Sequence, residues 1–336
     1  MNKKAISLLS GGLDSVLSTK VIMEQGIDVI ALHFTSPFSS KREKERGLQA
    51  VRAVSELGIG LILKHKGPEF IDVVRSPRYG YGKNINPCID CRIFMLQKTK
   101  EIMADEQASF VVTGEVLGQR PMSQRRDTIR IIEKASGLEG LIVRPLSAMH
   151  FSPSIPEQEG ILDRDKLLDF AGRSRTPQYR LAEKYNLTEF GSPGGGCLLT
   201  DPIFTKKLKD LFEYDNAFTM NDLELLSIGR HFRLRADTKL IVGRNEMENE
   251  KLISLWAAPT YISFHPIGFR GPIAILKGAF DNEIINISAN IMGYYGKNES
   301  SAISIESNNG IMNRHVVKKR NIMPEDLLVG ASKETQ

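Results

Sequence analysis

Three cysteines, Cys88, Cys91 and Cys197, are the only thiols in this 336-residue chain. Cys88 and Cys91 form a C-x2-C pair in Asn86-Pro87-Cys88-Ile89-Asp90-Cys91, just before a segment with helical spacing. Cys197 closes the run Gly191-Ser192-Pro193-Gly194-Gly195-Gly196-Cys197, whose glycines let the backbone bend a thiol towards a site. An odd number of thiols argues against a disulfide framework and for metal or thiol chemistry. Two such chemistries stand open. Three thiolates can hold a [4Fe–4S] cluster with one iron left free, or one cysteine can carry sulfur as a persulfide while another resolves it. Zinc wants a fourth ligand, and no histidine lies in these loops. The plain alternative is buried, inert cysteine.

A second constellation lies at the N-terminus. Ser10-Gly11-Gly12-Leu13-Asp14-Ser15 follows a short apolar run, Ala5–Leu9, and precedes an amphipathic segment. Glycines between a strand and a helix let backbone N–H groups approach an anion, and the helix N-terminus adds partial positive charge. Ser10 and Ser15 add hydroxyls. Asp14 would repel a bare phosphate, so its expected task is to hold Mg²⁺ on the phosphates. The G-x-x-x-x-G-K-[ST] pattern is absent, so this is not a Walker-type loop. A tight turn capped by Asp14 or Ser15 is the structural alternative.

The elements that must position these residues alternate. Strands are expected at Ala5–Leu9, Asp28–Phe34, Ile59–His65, Phe110–Thr113 and Leu141–Arg144. Helices are expected at Asp14–Gln25, Lys41–Leu57 and Arg92–Gln107. Such alternation indicates a parallel sheet covered on both faces, with ligands beyond the carboxyl ends of its strands. A second regime begins near residue 222, with short strands expected at Ile228–Leu234, Thr238–Val242, Ile262–Ile267 and Ile273–Lys277. The fold class is therefore α/β, a doubly wound parallel sheet over residues 1–220, with a smaller α+β or mainly β domain over 221–336.

Composition narrows the class. The chain is 41% hydrophobic and 25% charged, with a net charge of +5. That is ordinary for a globular protein and permits, without demanding, a phosphate-rich partner. No apolar run approaches the roughly 20 residues that span a bilayer. The basic start is followed at once by a short apolar run and glycines, unlike a signal peptide. A cytoplasmic protein with no membrane partner is expected.

The Ser10–Ser15 string resembles the PP-loop of the N-type ATP pyrophosphatases, of the adenine nucleotide α-hydrolase-like fold. That resemblance implies ATP cleavage between the α- and β-phosphates and activation of a carbonyl or carboxylate as its adenylate. It implies ATP contacts at Ser10, Gly11, Gly12, Leu13, Asp14 and Ser15, with His33, Gly114 and Gln119 added to the nucleotide set. The cysteine loops resemble the tRNA 2-thiouridylases. Those carry aspartate three residues before the first active cysteine, where this chain has Cys88. The resulting trio is similar to the iron–sulfur-dependent tRNA thiolation enzymes, which implies cluster roles for Cys88, Cys91 and Cys197. Thr113-Gly114-Glu115-Val116-Leu117-Gly118-Gln119, the later Ser123-Gln124 and Arg144-Pro145-Leu146 resemble the 4-thiouridine synthetases. Gly114 would allow close approach to the adenylate, Gln119 or Gln124 would bond ligand, and Arg144 would neutralise phosphate or face solvent.

Together these likenesses cover about residues 4–200. They imply a tRNA sulfurtransferase that adenylates a uridine carbonyl oxygen and replaces it with sulfur. A sulfur donor is then required, in the form of sulfide, a cysteine desulfurase or a sulfur carrier. A homodimer is compatible with this reading. The rivals are an ATP pyrophosphatase acting on a small molecule and a non-catalytic nucleotide-binding RNA adaptor. RNA contacts are expected at Arg120, Arg125 and Arg126. His231-Phe232-Arg233-Leu234-Arg235 and the following Lys239–Glu246 resemble an NFACT-R-type domain, which adds Arg233 and Arg235. Basic residues interleaved with aromatics can track a phosphate backbone. Lys318-Lys319-Arg320 could reach phosphate in the same way, or simply face solvent.

Overall fold

The computed structural model describes residues 2–191, 197–256, 261–296, 302–308, 312–318 and 324–330, with the side chains of 41–44, 46 and 302–324 outside that description. Most of the cysteine-bearing glycine loop, 192–196, and the pair Lys319-Arg320 therefore lie outside it. The described chain divides into two compact units, Met1–Thr200 and Asp201–Gln336.

The first unit is built on five parallel strands: β1 (Lys4–Leu8), β2 (Asp28–Thr35), β3 (Gly60–His65), β4 (Phe110–Thr113) and β5 (Ile142–Val143), in the order β3-β2-β1-β4-β5. Alternation along each strand sends side chains to both faces. Ile6, Leu8, Leu32 and Val111 meet Ile93, Leu96 and Met103 of the Cys88–Asp105 helix on one side. Ala5, Val29, Phe110 and Val112 meet Val21 and Ile22 of the Leu13–Met23 helix on the other. Each such burial contributes roughly 1.5–3 kcal/mol, so the sheet is secured without its loops, whose residues are left free for other work. β1 sits between β2 and β4, so the order reverses there. The crevice at the carboxyl ends of β1 and β4 is where such sheets bind ligands.

The C-x2-C helix begins earlier than the residue pattern suggests. Cys88 is its first residue, so both thiols lie in the first turn. Pro87 directly precedes it, and the Asp90 carboxylate accepts from the backbone of Arg78 (2.9 Å) and Tyr79 (3.1 Å). Those bonds tie the incoming loop to the helix start.

In the second unit six antiparallel strands run β11-β10-β8-β9-β7-β6: β6 (Arg230–Arg235), β7 (Thr238–Val242), β8 (Tyr261–Ile267), β9 (Ala274–Lys277), β10 (Ala302–Asn308) and β11 (Met312–Lys318). The Asn- and Ser-rich stretch holds a helix, Asn282–Tyr295, that residue types alone did not reveal. Asp281 caps it by accepting from Ile284 (2.9 Å), and Ile284, Ala289 and Met292 pack on Phe232, Leu240 and Phe264. The division falls at Thr200 rather than near residue 220 because the Pro202–Tyr214 helix is tied to this unit. Lys207 Nζ donates to the carbonyls of Leu226 (3.2 Å) and Gly229 (3.0 Å), and Asp210 holds Arg233.

Candidate functional site

The loop after β1 is folded by its own hydroxyls. Gly11 has a φ of 76°, a left-handed conformation that favours glycine. Ser15 Oγ donates to the Gly12 carbonyl (2.8 Å) and accepts from the Ser10 backbone (3.2 Å). Ser10 Oγ stands 3.2 Å from Ser15 Oγ. Leu13 is buried with Val16 and Leu17, which anchors the helix start, while Ser10 stays exposed. His33, buried on β2, places Nδ1 2.8 Å from the Leu9 carbonyl, bracing the residue that enters the loop.

Asp14 is where the elements converge. Its Oδ2 accepts from Gln119 Nε2 (2.6 Å) and lies 3.8 Å from Arg175 Nε. Its Oδ1 is buried and has no partner among the described residues. One oxygen held and one free is the arrangement of a monodentate carboxylate ligand, and Mg²⁺ characteristically takes one or two carboxylates with substrate phosphates completing its shell. Asp14 therefore fits the metal role.

The Thr113–Gln119 segment serves the loop rather than standing apart from it. A Cβ on Gly114 would lie 2.6 Å from Ser15 N and 2.7 Å from Asp14 C. Glycine is required there because the exit of β4 runs against the first turn after the loop. Arg144 corrects one sequence reading: it is 4% exposed and so not a surface arginine. It donates to Glu115 Oε2 (2.9 Å) and also to Glu133, while Arg92 donates to Glu115 Oε1 (2.8 Å). Burial pushes the Glu115 carboxyl up, but the two guanidiniums outweigh it and hold it below the ordinary carboxylate range. Gln124 is buried, and its backbone carbonyl accepts from Gly118 (2.7 Å).

The cysteine segments dock beside this loop. Gly191 N donates to the Gly11 carbonyl (2.7 Å), and Gly12 and Gly191 form a parallel bridge. Cys197 bridges Ser39, Leu198 N donates to the Phe38 carbonyl (2.9 Å), and Asn84 Nδ2 donates to the Thr200 carbonyl (2.7 Å). Gly191 thus touches the N-terminal loop, while Cys197–Thr200 touches the segment after β2 and the stretch entering Cys88. Phe38, Phe70 and Phe94 pack as tilted rings with centroids 6.1 and 5.4 Å apart. Lys66, directly after β3, puts Nζ 3.1 Å from Cys91 Sγ and 4.4 Å from the Phe70 ring. A cationic donor therefore sits on that sulfur. Burial pushes the Cys88 thiol up, and the neighbouring Cys91 adds to the rise. All three cysteines are half-buried. The donor set suits a cluster with an open iron, but the spacing does not: among the described residues no three Cys, His, Asp or Glu side chains are grouped to hold a metal ion.

Sequence reasoning missed Lys66, Arg175 and Gln178. The only signal for the last two is Thr176-Pro177, a helix start, which opens the Thr176–Lys184 helix. Of the expected RNA contacts, Arg120 and Arg125 are exposed, and Arg126 donates to the His150 carbonyl (2.7 Å). In the second unit both arginines are engaged. Arg233 grips Asp210 through Nε (3.0 Å) and Nη2 (2.6 Å), and Arg235 spans Asp281 (2.8 Å) and Glu283 (2.7 Å). Lys239 shares Asp210 at 2.7 Å. Arg233→Ala is accordingly expected to lower the stability of this unit by roughly 1–3 kcal/mol, through a weakened buried carboxylate. A urea melt unchanged from wild type would show the pair to be dispensable.

Comparison with known proteins decides the relationship. Residues 1–153 match the model of the ThiI family (thiamine biosynthesis protein). That N-terminal module is similar to the ThiI family and covers less than half of the chain. Residues 229–327 match the NFACT protein RNA binding domain. Probable tRNA sulfurtransferases of Geobacillus kaustophilus (strain HTA426) and Moorella thermoacetica (strain ATCC 39073 / JCM 9320) are 35% and 31% identical over 147 and 146 residues. Those alignments cover 44% and 43% of this chain but only 35% and 36% of the relatives, so the module spans about a third of each. Two solved structures align over two thirds of the chain. The U34-tRNA thiolase NcsA from Methanococcus maripaludis with its [4Fe–4S] cluster has a TM-score of 0.32 at 17% identity, with 67% of this chain and 72% of that chain covered. A 4-thiouridine synthetase–RNA complex with bound ATP has a TM-score of 0.36 at 22% identity, with 66% and 52% covered. Among the described residues no helix is long and apolar enough to cross a membrane.

Proposed function

We propose that the chain is an ATP-dependent tRNA sulfurtransferase whose ThiI-like module adenylates a uridine carbonyl oxygen before sulfur replaces it. The observation that carries this reading is the meeting, at the carboxyl end of β1, of the Ser10–Ser15 loop, an unpartnered Asp14 oxygen and Gly191. Backbone N–H groups of the loop and the hydroxyls of Ser10 and Ser15 hold the phosphates. Asp14 would hold Mg²⁺, which when bound neutralises charge on the leaving pyrophosphate. The uridine oxygen attacks the α-phosphorus, the α–β bond breaks, and pyrophosphate leaves. The terminal sulfur of a cysteine persulfide, loaded by an external sulfur donor, then attacks the base carbon, and AMP departs with the original oxygen. A second cysteine thiol attacks the carrier cysteine's sulfur, which breaks the S–S bond, leaves sulfur on the base and forms a disulfide. Cys91, beside Lys66, is the best-placed sulfur, whereas burial and the neighbouring Cys91 raise the Cys88 thiol above its ordinary value. Arg120 and Arg125, exposed on the loop after Gln119, offer backbone phosphate contacts, and the second unit adds RNA affinity.

Pyrophosphate release measured with and without bulk tRNA tests the reading. Release that rises with tRNA is expected. Release independent of tRNA favours a small-molecule substrate, and ATP binding with no release makes the chain an adaptor. The sequence resemblance reads Cys88, Cys91 and Cys197 as a [4Fe–4S] site instead, although their side chains are not grouped for one among the described residues. Anaerobic purification separates the two, because a cluster gives about four iron and four labile sulfide per chain. A colourless, iron-free protein that still thiolates leaves persulfide as the carrier.

A further inference from the structure

We infer that Gln178 is a positioning residue of the nucleotide site, acting on Asp14 through the amide of Gln119. The inference rests on the nucleotide reading above and extends it to a residue outside every recognised motif. Gln178 lies in the first turns of the Thr176–Lys184 helix and is fully buried. Its Nε2 donates to Gln119 Oε1 (3.2 Å), and Gln119 Nε2 donates to Asp14 Oδ2 (2.6 Å).

The polarity of this chain follows from chemistry. A carboxylate only accepts, so Gln119 must turn its N–H₂ towards Asp14 and its oxygen away. A buried amide oxygen needs a donor, and Gln178 supplies it. Asp14 thus sets the direction of Gln119, and Gln178 reinforces it, leaving its own Oε1 without a partner among the described residues. Gln119 in turn holds Oδ2, leaving Oδ1 as the unpartnered oxygen at the loop. Two of the three links are at least nine-tenths buried, so water does not replace them readily. Gln119 is then a holder of Asp14 more than a ligand of the base.

Gln178→Glu preserves shape but removes the donor. A carboxylate at 178 cannot donate, so two acceptors compete for the one N–H₂ of Gln119. Its hold on the Asp14 carboxylate weakens, and Asp14 leaves its place more readily. Mn²⁺ substitutes for Mg²⁺ as a probe, and its binding to the full chain with ATP is read by electron paramagnetic resonance, with no turnover needed. Gln178→Glu is expected to weaken Mn²⁺ binding about tenfold or more, the usual effect of removing a group that orients a metal ligand. Metal-free ATP affinity should stay unchanged. Gln178→Met, which removes the donor without adding an acceptor, should give a smaller loss in the same direction and serves if the glutamate variant does not fold. Folded variants with wild-type Mn²⁺ affinity overturn the relay and leave the nucleotide reading standing. A wild-type protein that binds neither ATP nor Mn²⁺ with ATP overturns both.

Discussion

Asp14→Ala is expected to cut pyrophosphate release by about a hundredfold or more, since it removes charge neutralisation at the leaving phosphates. The fold should survive. Asp14 is itself only partly buried and Arg175 can rehydrate, so loss of the Gln119 bond costs about 1–3 kcal/mol without unfolding the unit. The core residues beside it, Leu13, Val16 and Leu17, are untouched. Asp14→Asn sharpens the test: it keeps the shape, lacks the charge, and opposes one amide to another at Gln119. Both variants should stay folded while release collapses. A well-folded Asp14→Ala chain that still releases pyrophosphate would remove the loop from the chemistry.

Glu115→Gln should have the largest effect on stability. Glu115 is 1% exposed and joins Arg92 and Arg144, the latter 4% exposed. Taking away the shared carboxylate leaves a buried guanidinium with only Glu133 for compensation, a change that typically costs about 3–5 kcal/mol. For a unit of this size that is roughly 10 °C in Tm. The pH dependence carries the same signature. Because the folded pKa lies below the ordinary value, the stabilisation is present above about pH 4.5 and is lost as pH falls through the lowered folded value. Wild type should therefore lose stability with acid in that window, and Glu115→Gln should lack that part of the slope. Equal melting temperatures at pH 7 would show that the cluster contributes nothing.

How far the residues spoke for themselves depended on whether the signal was local. Short apolar runs at Ala5–Leu9, Asp28–Phe34 and Phe110–Thr113 and the glycines after β1 are local patterns, and they led to the sheet and the crevice. Arg144 was misread because its partners, Glu115 and Glu133, lie 29 and 11 positions away, and a buried arginine looks the same in sequence as a surface one. Arg233 and Arg235 carry the same lesson, since Asp210, Asp281 and Glu283 neutralise them from other elements. Gln178 and Lys66 sit in no motif; only the packing of their elements brings them to Asp14, through Gln119, and to Cys91. The Asn282–Tyr295 helix was hidden by its asparagines and serines, which disfavour helix interiors until tertiary packing overrides them.

The central claim is that the base oxygen itself is adenylated, and it can be followed as an atom. A tRNA transcript made with uridine carrying oxygen-18 at its carbonyls would be incubated anaerobically with the protein, ATP, Mg²⁺ and sulfide. The AMP and the digested nucleosides would then be weighed by mass spectrometry. Attack by the carbonyl oxygen on the α-phosphorus leaves that oxygen on the phosphate, so each thiolated uridine should be matched by one AMP heavier by one oxygen-18. Thiolated uridine formed alongside wholly unlabelled AMP would contradict adenylation of the base and require another route for ATP.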